Sequence, residues 1–176
     1  MEKKAVIFCA SSTRIDPKYN AAARAVARSL HALGWTLVSG GGAIGTMGAI
    51  TDESVRCGGR HIAVLPRFMK GLENPGVQQV IWTDTMAQRK EKMREGTQAA
   101  IALPGGIGTL DEMVETHTLC KLKQYSGALY CLNLDGFFDY YKATLDHFVE
   151  TGMMEAKDRD LVKFPATPEE LIAYFK

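Results

Sequence analysis

The apolar positions follow two alternating rhythms. Short β-rich runs such as "KAVIFCA", "WTLVSG" and "HIAVLP" alternate with longer stretches whose apolar residues recur at helical spacing. In "DPKYNAAARAVARSLHALG", Tyr19, Ala22, Ala23, Val26, Ala27, Leu30 and Leu33 fall on one helical stripe, and Gly34 stops it. "GTMGAITDESVRCGG" predicts a second helix with its own glycine stop, and "RFMKGLENPG" a loop. Beyond it come a fourth strand ("VQQVIWT"), a helix ("DTMAQRKEKMREG") and a fifth strand ("TQAAIALP"). A helix from Thr109 to about Lys123 precedes the strand "GALYCLN" and the helix "GFFDYYKATLDHFVETG"; the tail offers "LVKF" and a short helix near Thr167.

Strands separated by helix-length segments predict an α/β fold, a doubly wound parallel sheet covered on both faces. No repeat, low-complexity tract or linker interrupts the pattern, so residues 1–176 are expected to form a single domain. In such a sheet ligands bind outside the carboxyl ends of the strands. Two glycine-rich loops, "SGGGAIG" and "PGGIG", each follow a strand and open a helix, which puts both on that edge.

Composition limits the ligand. Lys and Arg number 21 against 20 Asp and Glu, so no global field draws the chain to nucleic acid or an anionic membrane. Cys9, Cys57, Cys120 and Cys131 are widely spaced in apolar segments and the histidines do not cluster with them, which predicts reduced core thiols, a cytoplasmic protein and neither disulfide nor metal site. The opening "MEKKAVIFCASS" is too short an apolar run for a membrane span and reads as the first strand.

Gly40, Gly42 and Gly45 fit G-x-G-x-x-G, but after the second strand and with "LPRF" where a dinucleotide site would offer a ribose-binding acid. A nicotinamide dinucleotide is therefore disfavoured, and no Gly-Lys-Ser/Thr completes a P-loop. Glycines let the backbone approach a ligand and expose first-turn N–H groups, whose natural guest is one phosphate. Thr109-Leu110-Asp111-Glu112 also reads as a capping box, with Glu112 reaching back to the Thr109 N–H. Carboxylates beside an anion-holding turn would repel its guest, unless the ligand joins a phosphate to a group that wants an acid, such as ribose hydroxyls or a sugar carbon becoming cationic. Glu112 thus has two readings, cap and catalyst. In "DTMAQRKEKMREG", Met86, Arg89, Lys90 and Met93 share one helix face, so the two cations either snorkel or face a pocket.

"PGGIGTLDE" resembles the PGGxGTxxE signature of the LOG (LONELY GUY) family, enzymes often mislabelled as lysine decarboxylases. "SGGGAIGTMGA", "MAQRKEKM", "FCASS" and "NLDGFFDYY" are similar to further family segments, so the likeness spans residues 5 to about 150. The resemblance implies a Rossmann-like homodimer that hydrolyses nucleoside 5′-monophosphates, AMP or N6-modified AMP, to free base and ribose 5-phosphate, with no metal or redox cofactor. It implies Arg89 and Glu112 as the catalytic pair. Gly40, Gly41 and Gly42, with Gly105, Gly106, Gly108 and Thr109, would cradle the phosphate, while Met86 and Lys90 line the site. No motif supplies a Schiff-base lysine with pyridoxal-phosphate partners. Departures fall at Ala87 (usually His), Thr46 (usually Leu), Thr118 to Lys123 and "QYSG", in regions that shape the base end and the subunit contact. Glu115, one turn beyond Glu112, and Glu73 are further candidate acids. The rival is a carrier that holds a phosphorylated pterin such as molybdenum cofactor without hydrolysing it.

Overall fold

The computed structural model describes residues 2–176. Seven parallel strands form one sheet: β1 (Lys4–Phe8), β2 (Thr36–Ser39), β3 (His61–Pro66), β4 (Gln79–Thr83), β5 (Ala99–Ala102), β6 (Ala128–Cys131) and β7 (Val162–Lys163). Their order is β4-β3-β2-β1-β5-β6-β7. The chain builds outward from β1 to β4, then crosses back to place β5 on the other side of β1. The crevice above that reversal is where such sheets bind ligands.

The helices are α1 (Pro17–Ala32), α2 (Gly45–Arg56), α3 (Met86–Arg94), α4 (Ile107–Lys121), α5 (Asp139–Glu150), α6 (Ala156–Arg159) and α7 (Pro168–Ala173). Alternate strand residues feed two cores, as the pleat requires. Ala5 and Ile7 join Val26, Leu30, Leu37 and Leu171 under α1 and α7, while Val6 and Phe8 join Val64, Met93, Met113 and Leu129 under α3 and α4. The predicted α1 stripe is the buried one, from Ala22 through Leu30.

The structure corrects several details. The segment expected as a plain loop after β3 contains a 3₁₀ turn at Arg67–Met69, and α6 is an element the apolar pattern did not announce. Of the four thiols only Cys9 and Cys131 are buried; Cys57 is exposed. Most important for the site, α4 begins at Ile107, two residues before Thr109, with Gly106 as its N-cap and no side-chain capping bond. The Thr109–Glu112 capping box does not form. Thr109 is the third helical residue, so its N–H is one of the first-turn donors without an intrahelical acceptor, and Glu112 lies toward Arg89 instead of reaching back to it. The box that does form caps α3, where the Thr85 hydroxyl accepts from Gln88 N–H at 3.2 Å and the Gln88 side chain accepts from Thr85 N–H at 3.3 Å.

Candidate active site

The late start of the predicted helix hid where its acids lie. With α4 opening at Ile107, its first turn carries no acid, and Glu112 sits five residues in, about 7.5 Å along the axis at 1.5 Å per residue. One helix therefore presents N–H donors at its tip and a carboxylate one turn deeper. At the tip, a Cβ on Gly105 would overlap the Thr109 side chain, while Gly106 and Gly108 face open space. The Thr109 hydroxyl is buried and has no hydrogen-bond partner. A buried hydroxyl without a partner is costly, so this one marks a place for an acceptor.

Across from Glu112 stands Arg89 on α3. It does not snorkel: it is 6% exposed, and its Nε donates to the Val64 carbonyl within β3 over 3.0 Å. Its Nη1 lies 3.6 Å from Glu112 Oε1, and its Nη2 rests against Gly40, whose Cβ would overlap it. The β2–α2 loop, α3 and α4 thus bring Gly40, Arg89 and Glu112 together. Burial pushes the Glu112 carboxyl up to about 7, against the pull of the Arg89 guanidinium in the opposite direction. The carboxyl thus lies near neutrality, the range in which such a group can both give and take a proton. Cys9, at the end of β1, is close enough for Glu112 and Arg89 to influence it, and burial holds its thiol far above the ordinary range.

The other sequence candidates divide. Lys90 Nζ reaches Glu115 at 2.7 Å and Asp111 at 3.0 Å, and Arg94 Nη2 reaches Glu115 at 3.1 Å. Burial alone would lower the Lys90 ammonium; its bonds to Glu115 and Asp111 outweigh that and raise it. Lys90 and Glu115 therefore tie α3 to α4 beside the Arg89–Glu112 pair. A lysine held charged in this way is a poor Schiff-base former, which needs a neutral amine. Glu73 turns into its own loop, accepting from Gly71 N–H at 2.6 Å, and its backbone bridges to Gly42. Met86 opens α3 and is 41% exposed.

The two glycine loops also differ. In the β2–α2 loop, Gly41 N–H donates to Ser39 Oγ (3.1 Å), Ala43 N–H to the Leu72 carbonyl (3.1 Å) and Met47 N–H to the Ala10 carbonyl (3.1 Å). These donors are engaged within the protein, although the first turns of α2 and α4 both lack a side-chain cap. Three features escaped the sequence: the Val64 carbonyl under Arg89, the Asp111 partner of Lys90, and the Ser39–His61 contact of 2.8 Å at the root of the loop. All three are long-range pairings between segments, for which no local pattern exists.

A doubly wound sheet defines a Rossmann-like protein, and the open helix tip at its switch point with the buried Arg–Glu pair beside it forms the candidate site. Solved structures agree on the fold: the molybdenum cofactor carrier protein of Chlamydomonas reinhardtii superposes with a TM-score of 0.75 at 19% identity, covering 99% of this chain and 96% of that one. The molybdenum cofactor binding protein of Rippkaea orientalis gives 0.74 at 18%, covering 99% and 95%. Sequence comparison is more particular. The family described as "Possible lysine decarboxylase" matches residues 47–175. The chain is 37% identical over 173 residues to the rice (Oryza sativa subsp. japonica) protein named probable cytokinin riboside 5′-monophosphate phosphoribohydrolase LOGL3, covering 97% of this chain and 82% of that one. It is 35% identical over 173 residues to the Arabidopsis thaliana cytokinin riboside 5′-monophosphate phosphoribohydrolase LOG2, covering 96% and 81%. The chain belongs to this family, that of the LOG proteins. Among the described residues no helix is long and apolar enough to cross a membrane.

Proposed function

We propose that the protein hydrolyses the N-glycosidic bond of nucleoside 5′-monophosphates, AMP or N6-modified AMP, releasing the free base and ribose 5-phosphate. One observation carries the reading: α4 offers uncapped N–H groups and the partnerless Thr109 hydroxyl at its tip, and Glu112 paired with Arg89 one turn deeper. That spacing suits a ligand with an anionic end and a sugar carbon that turns positive. The names of the relatives at 35–37% identity point to the same chemistry.

In this mechanism the 5′-phosphate docks on Gly105, Gly106, Gly108 and Thr109, and its binding energy fixes the sugar against Glu112. The bond from C1′ to the base nitrogen breaks heterolytically, the base leaving with the electron pair. Ionised Glu112 steadies the oxocarbenium character at C1′ more than it steadies the neutral ground state. Water adds to C1′ and gives up a proton, for which Glu112, poised at about 7, is the acceptor at hand. Arg89 holds the carboxylate in place and favours its ionised form. Lys90 and its acids keep α3 and α4 in register.

We place the enzyme in the cytoplasm as a homodimer. An apolar groove of about 620 Å³ between α4 and α5, lined by Leu110, Val114, Tyr140 and Phe148, is a face that a second copy would cover. The carrier reading draws on structures under 20% identical, a likeness of fold. It gives the Arg89–Glu112 pair no task. Glu112→Gln tests the proposal: the variant should fold and lose base release by a factor of about 10² or more. Undiminished release would leave Glu112 without a catalytic role.

A further inference from the structure

The geometry points to Gly40 as a positioning residue, one whose missing side chain makes the seat on which the Arg89 guanidinium lies. Its catalytic consequence rests on the hydrolase reading; the seat itself does not.

Gly40 is not in the left-handed region, unlike its neighbour Gly41 at φ 69°. Backbone conformation therefore does not demand glycine at position 40. Space does: a Cβ there would overlap Arg89 Nη2 and come within 3.2 Å of its Cζ. The guanidinium cannot simply slide away, because its Nε is tied to the Val64 carbonyl at 3.0 Å and the side chain is 6% exposed. The movement left to it is a rotation of the planar group, which carries Nη1 off its 3.6 Å approach to Glu112.

The rest of the loop is built to hold that seat still. Gly41 N–H donates to Ser39 Oγ, which lies 2.8 Å from Nε2 of the fully buried His61. The Gly41 carbonyl accepts from Asn74 N–H at 2.8 Å, and a Cβ on Gly41 would overlap that of Ala63. Donors and acceptor are thus engaged by the protein on both sides of Gly40. A loop whose amides are engaged in this way is suited to fixing a side chain.

The test is a double-mutant cycle of Gly40→Ala and Arg89→Ala, read by steady-state kinetics on AMP and by thermal melting. Gly40→Ala should lower kcat about 100-fold, as expected for a catalytic group misplaced by an ångström, with KM changed by no more than about threefold. In the Arg89→Ala background the same substitution should have no further effect on kcat and a smaller effect on Tm, since the group it strikes is gone. A rise of about tenfold or more in KM with kcat retained would overturn the inference and return the loop to phosphate binding. So would equal losses of Tm in both backgrounds. If Gly40→Ala does not fold, the double variant should; failure of both contradicts the seat. Absence of base release from the wild type would overturn the hydrolase reading alone, and the coupling in Tm would still decide whether Gly40 seats Arg89.

Discussion

Replacing Glu112 by Gln should stabilise the protein above neutral pH while abolishing its activity. The carboxyl titrates at about 7 in the folded protein against an ordinary 4.5, because burial outweighs the attraction of Arg89. Between those values the folded state holds a proton that the unfolded state has lost. Wild-type stability therefore falls as pH rises through that window and levels off above it. The full gap corresponds to about 3 kcal/mol at 1.36 kcal/mol per pH unit, an order-of-magnitude figure. Gln copies the neutral acid in shape and does not titrate. The difference in unfolding free energy between variant and wild type should thus be near zero at pH 4.5 and grow to about 3 kcal/mol by pH 8, or roughly 6–12 °C in Tm for a chain of this size. Guanidinium melts at half-unit intervals from pH 4.5 to 8.5 would trace the curve. A variant that is less stable at pH 8, or a difference that does not change with pH, would refute the claim that Glu112 is held in the site at a cost to the fold.

Other outcomes follow from the same geometry. Arg89→Gln should move the acid limb of the kcat/KM profile above pH 7, because Arg89 favours the ionised form of Glu112, and should lower kcat by about 10²–10³; an unmoved limb would detach Arg89 from Glu112. Thr109→Val should hold or raise Tm, since it removes a buried hydroxyl that has no partner to lose, yet weaken inhibition by ribose 5-phosphate about tenfold. Unchanged inhibition would remove Thr109 from the phosphate end. Lys90→Met should cost on the order of 1–2 kcal/mol in chemical denaturation, because Glu115 and Asp111 lose their shared cation; no loss of stability would mean that the α3–α4 tie is dispensable.

Much of this was legible in the chain. The alternation of apolar runs located the first six strands within a few residues and singled out "LVKF", where β7 lies, and two glycine loops after strands implied one functional edge. Helix starts were harder where no side chain caps them. Gly106-Ile107-Gly108 carries no Ser, Thr, Asp or Asn, so the eye moves to Thr109, and the T-x-x-E pattern at 109–112 imitates a cap that the structure forms instead at Thr85 and Gln88. The displacement changed the chemistry: acids that seemed to crowd an anion site stand a turn away from it. The engagement of the Gly41, Ala43 and Met47 amides was invisible because Ser39, Leu72 and Ala10 accept from them, two of these from other segments. Lys90 looked like a partner of Arg89 on one face, yet its neighbours on α4 bind it in a separate network.

The central claim is that one helix grips a phosphate at its tip and steadies a reacting sugar carbon one turn further in. Free base and ribose 5-phosphate, quantified by chromatography after incubation with AMP, an N6-substituted AMP and adenosine, test it most directly. The account predicts equimolar release of both products from the monophosphates and little from adenosine. Equal turnover of adenosine and AMP, or no release from any monophosphate together with retention of a phosphorylated pterin, would contradict it.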